Sequence, residues 1–133
     1  PLTQRPAGPW TIDEDLNTSH LPSQIEATIL DVVPSSFNPD PNLAYLDVSK
    51  LKFPLSLRYW KEGDRFVPLG MMGVKKLSDF LVDEKVSLEQ KKNILVLESQ
   101  GEIVWVVGFR ISESLKVNSE TSNILHMRAL VAE

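Results

Sequence analysis

Ile94-Leu-Val-Leu-Glu-Ser99, then Gln100-Gly101, then Glu102-Ile103-Val-Trp-Val-Val107, is the stretch that decides the fold. Two β-rich segments flank a two-residue loop whose second position is glycine, which takes positive φ without steric cost, so the stretch predicts a β-hairpin. Ile103 to Val107 is apolar without a break. A strand with one wet face would alternate, so both faces of this one are predicted to be covered. Beyond Gly108, Phe109 to Ile111 is expected to extend the strand or bend away at a bulge.

Working outward, Ile25 to Val33, dominated by β-branched residues and stopped by Pro34, is the clearest further strand, and Leu43 to Val48, Leu55 to Trp60 and Asn123 to Val131 read as short strands beside it. Between them the period changes. Leu77, Phe80 and Leu81 fall at i, i+3 and i+4, one apolar stripe on a short helix within Val74 to Glu84. Ser87-Leu-Glu-Gln90 has capping-box spacing and predicts a second helical turn ending near Asn93. The fold class is therefore α+β, a β-sandwich-like core of short, mostly antiparallel strands with one or two short helices packed on one side. Seven of the nine prolines lie at or before Pro41. Residues 1–42 are accordingly expected as a loop-rich segment with one strand, packed on or leading into a domain of residues 43–133.

The chain has 133 residues, with 42% hydrophobic and 24% charged, enough for one self-supporting core. It contains no cysteine, so a disulfide framework and a thiolate metal site are excluded. A reducing, cytoplasmic setting is the expectation. No apolar run approaches the roughly 20 residues that cross a bilayer, so no membrane partner is expected. The first residue is Pro1, and the chain is expected to be a piece of a longer protein.

Charge is distributed unevenly. From Lys50 to Lys76, seven basic residues (Lys50, Lys52, Arg58, Lys61, Arg65, Lys75 and Lys76) face only Glu62 and Asp64, a local balance of +5 in a chain whose net charge is −4. Such a segment is either a hydrated surface or a face that meets an anion. Lys75 and Lys76 are expected at a helix N-terminus, where cations are unfavourable by about 0.3–1 kcal/mol each without an anion nearby. That placement favours a phosphate as neighbour. Gly63, Asp64, Gly70 and Gly73 are expected to shape the turns, with Asp64 capping one of them or orienting Arg65. Met71 and Met72 are expected to pack inside, and Trp60 to cover the edge of the core.

Enzyme readings fail on missing parts. Gly70-Met-Met-Gly-Val-Lys-Lys-Leu-Ser78 is not a Walker loop, because Val74 separates Gly73 from the lysines. His20 and His126 have no partner at ligand spacing, and His126 reads as a half-buried strand residue. No catalytic residue and no metal ligand is nominated.

Arg58-x-Trp60-x-x-Gly63-Asp64-Arg65-Phe66-x-Pro68-Leu69-Gly70-Met71-x-Gly73-x-Lys75-Lys76-Leu77-Ser78-Asp79-Phe80-Leu81, followed by Asp83-x-Lys85-Val86, resembles the signature of the C-terminal domain of bacterial tRNA(Ile)-lysidine synthetase. Leu46-Asp47, Lys50-Leu-Lys-Phe-Pro-Leu55 and Ile103-Val-Trp-Val-Val-Gly-Phe-Arg-Ile111 fit the same pattern. The resemblance implies a parent ligase that uses ATP with magnesium to activate C2 of the wobble cytidine of tRNA(Ile) and attaches lysine there. It also implies that ATP is handled by an N-terminal domain with an S-G-G-x-D-S loop, absent here, so this piece would need no cofactor and have no activity alone. The domain would grip the acceptor-stem region of the tRNA, contact other domains of the same enzyme, and resemble a β-sandwich module of phenylalanyl-tRNA synthetase β subunits. Arg58, Lys61, Arg65, Lys75 and Lys76 become the expected RNA contacts. Two other readings stay open: an interdomain or homodimer module, and a small-anion site for nucleotide or phosphate over Gly70 to Lys76.

Overall fold

The computed structural model describes residues 8–130 of the chain. Among the described residues, ten strands and two short α-helices follow in the order β1 (Trp10–Ile12), β2 (Ile25–Leu30), β3 (Leu43–Asp47), β4 (Leu55–Tyr59), β5 (Arg65–Phe66), β6 (Lys75–Lys76), α1 (Leu77–Asp83), α2 (Leu88–Lys91), β7 (Leu95–Ser99), β8 (Glu102–Val106), β9 (Arg110–Ile111) and β10 (Ile124–Ala129). The hairpin of β7 and β8 forms where the turn chemistry puts it. Gln100 and Gly101 have φ of 50° and 84°, and Ser99 pairs with Glu102 across the turn.

Three antiparallel sheets result. One has five strands in the order β1-β4-β7-β8-β9, a second has three in the order β2-β10-β3, and β5 with β6 makes a separate two-stranded hairpin. Leu55, Leu57, Leu97 and Trp105 of the five-stranded sheet share a core with Ile25, Leu46, Leu125 and Met127 of the three-stranded one. This is the sandwich. A second core lies elsewhere on the five-stranded sheet, where Val96, Ile103 and Val106 meet Phe66 of β5 and Leu77, Phe80 and Leu81 of α1. Each fully buried side chain of this size contributes roughly 1.5–3 kcal/mol relative to exposure. Two cores on one sheet explain why Ile103 to Val106 is apolar without alternation.

Several boundaries differ from the sequence reading. The described part of residues 1–42 supplies two strands rather than one: β1 pairs with β4, Trp10 opposite Leu57, and β2 pairs with β10. β2 stops at Leu30 rather than Val33 because Leu30 already faces Ile124, where β10 begins. Helix α1 starts at Leu77 rather than Val74, since Lys75 and Lys76 are drawn into pairing with β5. No bulge follows Gly108. A tight turn closed by the Phe109 N–H on the Val106 carbonyl (2.9 Å) leads into β9, and the irregularity sits between Leu97 and Glu98 instead. The capping box on α2 is present in both directions, Gln90 N–H to Ser87 Oγ at 3.1 Å and Ser87 N–H to Gln90 Oε1 at 3.0 Å. Val131, expected in the last strand, lies outside the described residues.

Candidate nucleic-acid interface

Where β4 leaves its sheet, the indole of half-buried Trp60 donates to the Lys91 carbonyl at 2.8 Å and holds the departing chain against the second core. The turn that follows is organised by Asp64. Its carboxylate accepts from the Lys61 N–H at 2.8 Å, its own N–H donates to the Lys61 carbonyl at 3.2 Å, and its carbonyl accepts from Leu77 N–H, the first amide of α1, at 2.8 Å. Gly63 supplies the positive φ (94°) that closes this turn.

Asp64 thus caps the turn as expected, but the arginine it orients is Arg58, not Arg65. Both guanidinium nitrogens of Arg58 donate to the Asp64 carboxylate at 3.0 Å, and one donates also to Glu98 at 2.8 Å. The three side chains are 16%, 6% and 18% exposed. Burial works against the charge on Arg58, but the bonds to Asp64 and then Glu98 outweigh it and raise the arginine further above its ordinary value. Arg58, expected among the RNA contacts, is therefore a structural ion-pair residue whose guanidinium is held by two carboxylates. Glu98 was not foreseen. Its signal was an acid in an otherwise apolar strand, on the same face as Arg58 two positions along from the directly opposed Val96.

The remaining basic residues divide. Lys75 turns to Asp83 and forms an ion pair. Lys61, Arg65 and Lys76 are exposed and form no ion pair among the described residues. Arg65 and Lys76 stand directly opposite each other across β5 and β6, so two cations share one face of the hairpin, while Phe66 on the alternate position packs into the second core against Phe80 at 5.1 Å. Lys76 immediately precedes α1 as expected, and the first amide of that seven-residue helix, Leu77 N–H, is already given to the Asp64 carbonyl.

The loop joining β5 to β6 departs from expectation in two ways. Gly70 has φ of 88° in a turn closed by Met71 N–H to the Pro68 carbonyl, and its own N–H donates to Glu113 Oε1 at 2.8 Å. Hydrogen bonds first from Lys116 and then from Gly70 hold the Glu113 carboxyl below its ordinary value. Gly73, by contrast, has no positive φ and nothing near where a Cβ would stand, so the turn does not need glycine there. Met71 and Met72 do not pack inside; Met72 is fully exposed. His126 is half-buried as expected, stacked on Tyr45 at 4.4 Å with Nδ1 3.1 Å from the Ala44 carbonyl. No group of three or more metal-ligating side chains occurs among the described residues, and no helix there is long and apolar enough to cross a membrane.

A family model described as the TilS substrate C-terminal domain matches residues 55–128. The tRNA(Ile)-lysidine synthase of Parabacteroides distasonis is 41% identical over 118 residues, which cover 87% of this chain and 27% of that protein. That of Caldanaerobacter subterraneus subsp. tengcongensis is 43% identical over 89 residues, covering 67% and 19%. The chain thus spans about a quarter or less of the length of these relatives. Among solved structures, the crystal structure of a TILS C-terminal domain superposes with a TM-score of 0.72 at 22% identity, covering 82% of this chain and 84% of that one. An N-terminal fragment of the phenylalanyl-tRNA synthetase β subunit from Pyrococcus horikoshii gives 0.53 at 17% identity over 65% and 27%. Both share the α+β fold of strands in antiparallel sheets with short helices.

Proposed function

The chain belongs to the TilS substrate C-terminal domain family, and we propose that it is the tRNA-gripping part of a tRNA(Ile)-lysidine synthase, holding the acceptor-stem region of tRNA(Ile) while another part of the enzyme does the chemistry. The observation that carries this reading is the cross-strand pair of Arg65 and Lys76. Like charges directly opposite in a strand pair are destabilising, by a few tenths to about 1 kcal/mol, and nothing in the hairpin offsets them. A phosphate ladder would. Lys61, at the turn just before Arg65, adds a third cation with no carboxylate of its own. An A-form stem presents phosphates and 2′-hydroxyls across a shallow groove, so recognition by shape and charge suits three exposed cations on a folded support.

In this reading the parent enzyme activates the wobble cytidine with ATP and magnesium and joins lysine to it, at a site this chain does not contribute. Its own contribution is to fix a long RNA at a point remote from the reacting base. Because the chain as a whole carries −4, affinity of this part alone is weak and falls steeply with salt. A small-anion site over Gly70 to Lys76 is less well supported, since the Gly70 N–H that would meet the anion already serves the Glu113 carboxylate.

The test is a Lys61→Ala, Arg65→Ala, Lys76→Ala variant of the full-length enzyme. Modification of whole tRNA(Ile) should fall at least about tenfold, while use of a minimal anticodon stem-loop stays near wild type. Equal losses on both substrates would overturn a remote gripping role.

A further inference from the structure

The loop from Val67 to Val74 is pinned along its first half and bare along its second. Glu113 N–H donates to the Val67 carbonyl at 2.8 Å, Leu69 N–H to the Ile111 carbonyl at 3.0 Å, and Gly70 N–H to Glu113 Oε1 at 2.8 Å. Past this anchor come Met71, Met72 and Val74, of which Met72 is 101% exposed and Val74 65% exposed. An exposed apolar residue alone is ordinary, but three within four positions at the tip of an anchored loop put apolar surface together on a fixed support. At the base of the same hairpin stand Arg65 and Lys76, and at most about 14 Å of extended chain separates Lys76 from Met72.

We infer that this tip packs on an exposed nucleobase face at the end of an RNA stem, while Arg65 and Lys76 hold the adjoining phosphates. The inference rests on the RNA-binding reading above and says which part of the RNA the hairpin meets. Base faces inside a duplex are hidden by stacking. Terminal base pairs and unpaired nucleotides expose an aromatic plane beside a phosphate backbone, and the end of a stem can offer both. Methionine suits that contact: it is unbranched, its thioether is polarizable, and it makes favourable sulfur–aromatic contacts. Apolar side chains set against bases next to cations are a recurrent device in nucleic-acid binding. A protein partner would complement the apolar tip, yet would have to bury two unneutralised cations at its rim.

The chain has three methionines, and Met127 is buried in the sandwich core, so methyl-labelled methionine gives two reporters and an internal control. The labelled chain is titrated with an RNA stem closed at one end by a non-nucleotide linker and open at the other, blunt or with a 3′ overhang, and with the same stem closed by such a linker at each end. The Met72 methyl resonance should move upfield with the open-ended RNA, from the ring current of the base, and stay in place with the closed one; Met127 should not move. Shifts with the blunt or the overhanging RNA distinguish a terminal pair from an unpaired nucleotide, and either upholds the inference. A Met71→Ser, Met72→Ser variant should lose a preference of roughly five- to tenfold for the open end while keeping its affinity for the closed stem. Equal affinity for both RNAs, unaffected by the variant, overturns the stacking role and leaves the gripping role standing. Binding to neither RNA at low salt overturns both. A Met72 shift that grows with protein concentration without RNA assigns the tip to a second copy and overturns the inference.

Discussion

Arg58 and Arg65 belong to one basic segment, and the fold uses them in opposite ways. Arg58 belongs to β4, is clasped by Asp64 and by Glu98 of β7, and ties the Lys61 to Asp64 turn to the five-stranded sheet. Arg65, seven residues on, faces solvent across from Lys76 with no carboxylate to meet it. A positive charge therefore carries different meanings according to what the backbone brings beside it: the first holds the surface in shape, and the second gives that surface something to do.

The largest effect should come from breaking the clasp. Arg58→Ala leaves two carboxylates poorly solvated and without a cation, which should cost about 3 kcal/mol of stability and lower the melting temperature on the order of 10 °C. Chemical denaturation measures this directly. Arg58→Lys should recover only part of the loss, because a lysine cannot bridge Asp64 with two parallel bonds. Near-wild-type stability of Arg58→Ala would remove the distinction between the two arginines.

A smaller change should act on the other side of the comparison with the opposite sign. Lys76→Glu places an acid across from Arg65 and converts a repulsive pair into an attractive one, a gain of about 0.5 kcal/mol. The same change should weaken binding of whole tRNA(Ile). Stability rising while RNA affinity falls is the pattern expected of a charge kept for a partner rather than for the fold. If both fall together, Lys76 supports the hairpin itself.

The smallest effect is a pH dependence confined to the hairpin loop. Glu113 is held below its ordinary value of 4.5 by Lys116 and then by Gly70, so its contacts are fully present above that value and are lost as pH falls through the lower, folded-state one. Hydrogen exchange at the Gly70 amide, corrected for intrinsic rate, should keep its protection at pH 4.5 and lose it only as pH falls further. The Phe109 amide, which donates to the Val106 carbonyl, is a reference in the same experiment.

Much of this architecture could be read along the chain. The β7 and β8 hairpin was legible because turn chemistry, β-branched runs and an unbroken apolar strand all agree locally. The capping box at Ser87 and Gln90 was legible for the same reason. β1 was not, since Trp10-Thr-Ile12 is a three-residue strand among prolines whose partner Leu57 is remote in sequence, and nothing local specifies that pairing. The site was half legible. A count of charges marked the segment from Lys50 to Lys76, but no count can tell that Glu98, forty residues on, neutralises Arg58, or that the β5 and β6 register sets Arg65 against Lys76. Met72 misled because apolar residues usually lie inside, and only the anchoring of its loop to Ile111 and Glu113 holds it out.

The most direct measurement is the salt dependence of affinity for whole tRNA(Ile), compared between the wild-type chain and a Lys61→Ala, Arg65→Ala, Lys76→Ala variant. Each cation that neutralises a phosphate contributes about 0.9 to the slope of log affinity against log salt on a duplex. The three free cations should therefore account for a decrease of about two to three in its magnitude, with stability no lower than wild type because the repulsion between Arg65 and Lys76 is removed. A variant that binds with the wild-type slope would contradict the assignment of this hairpin as the RNA-holding face.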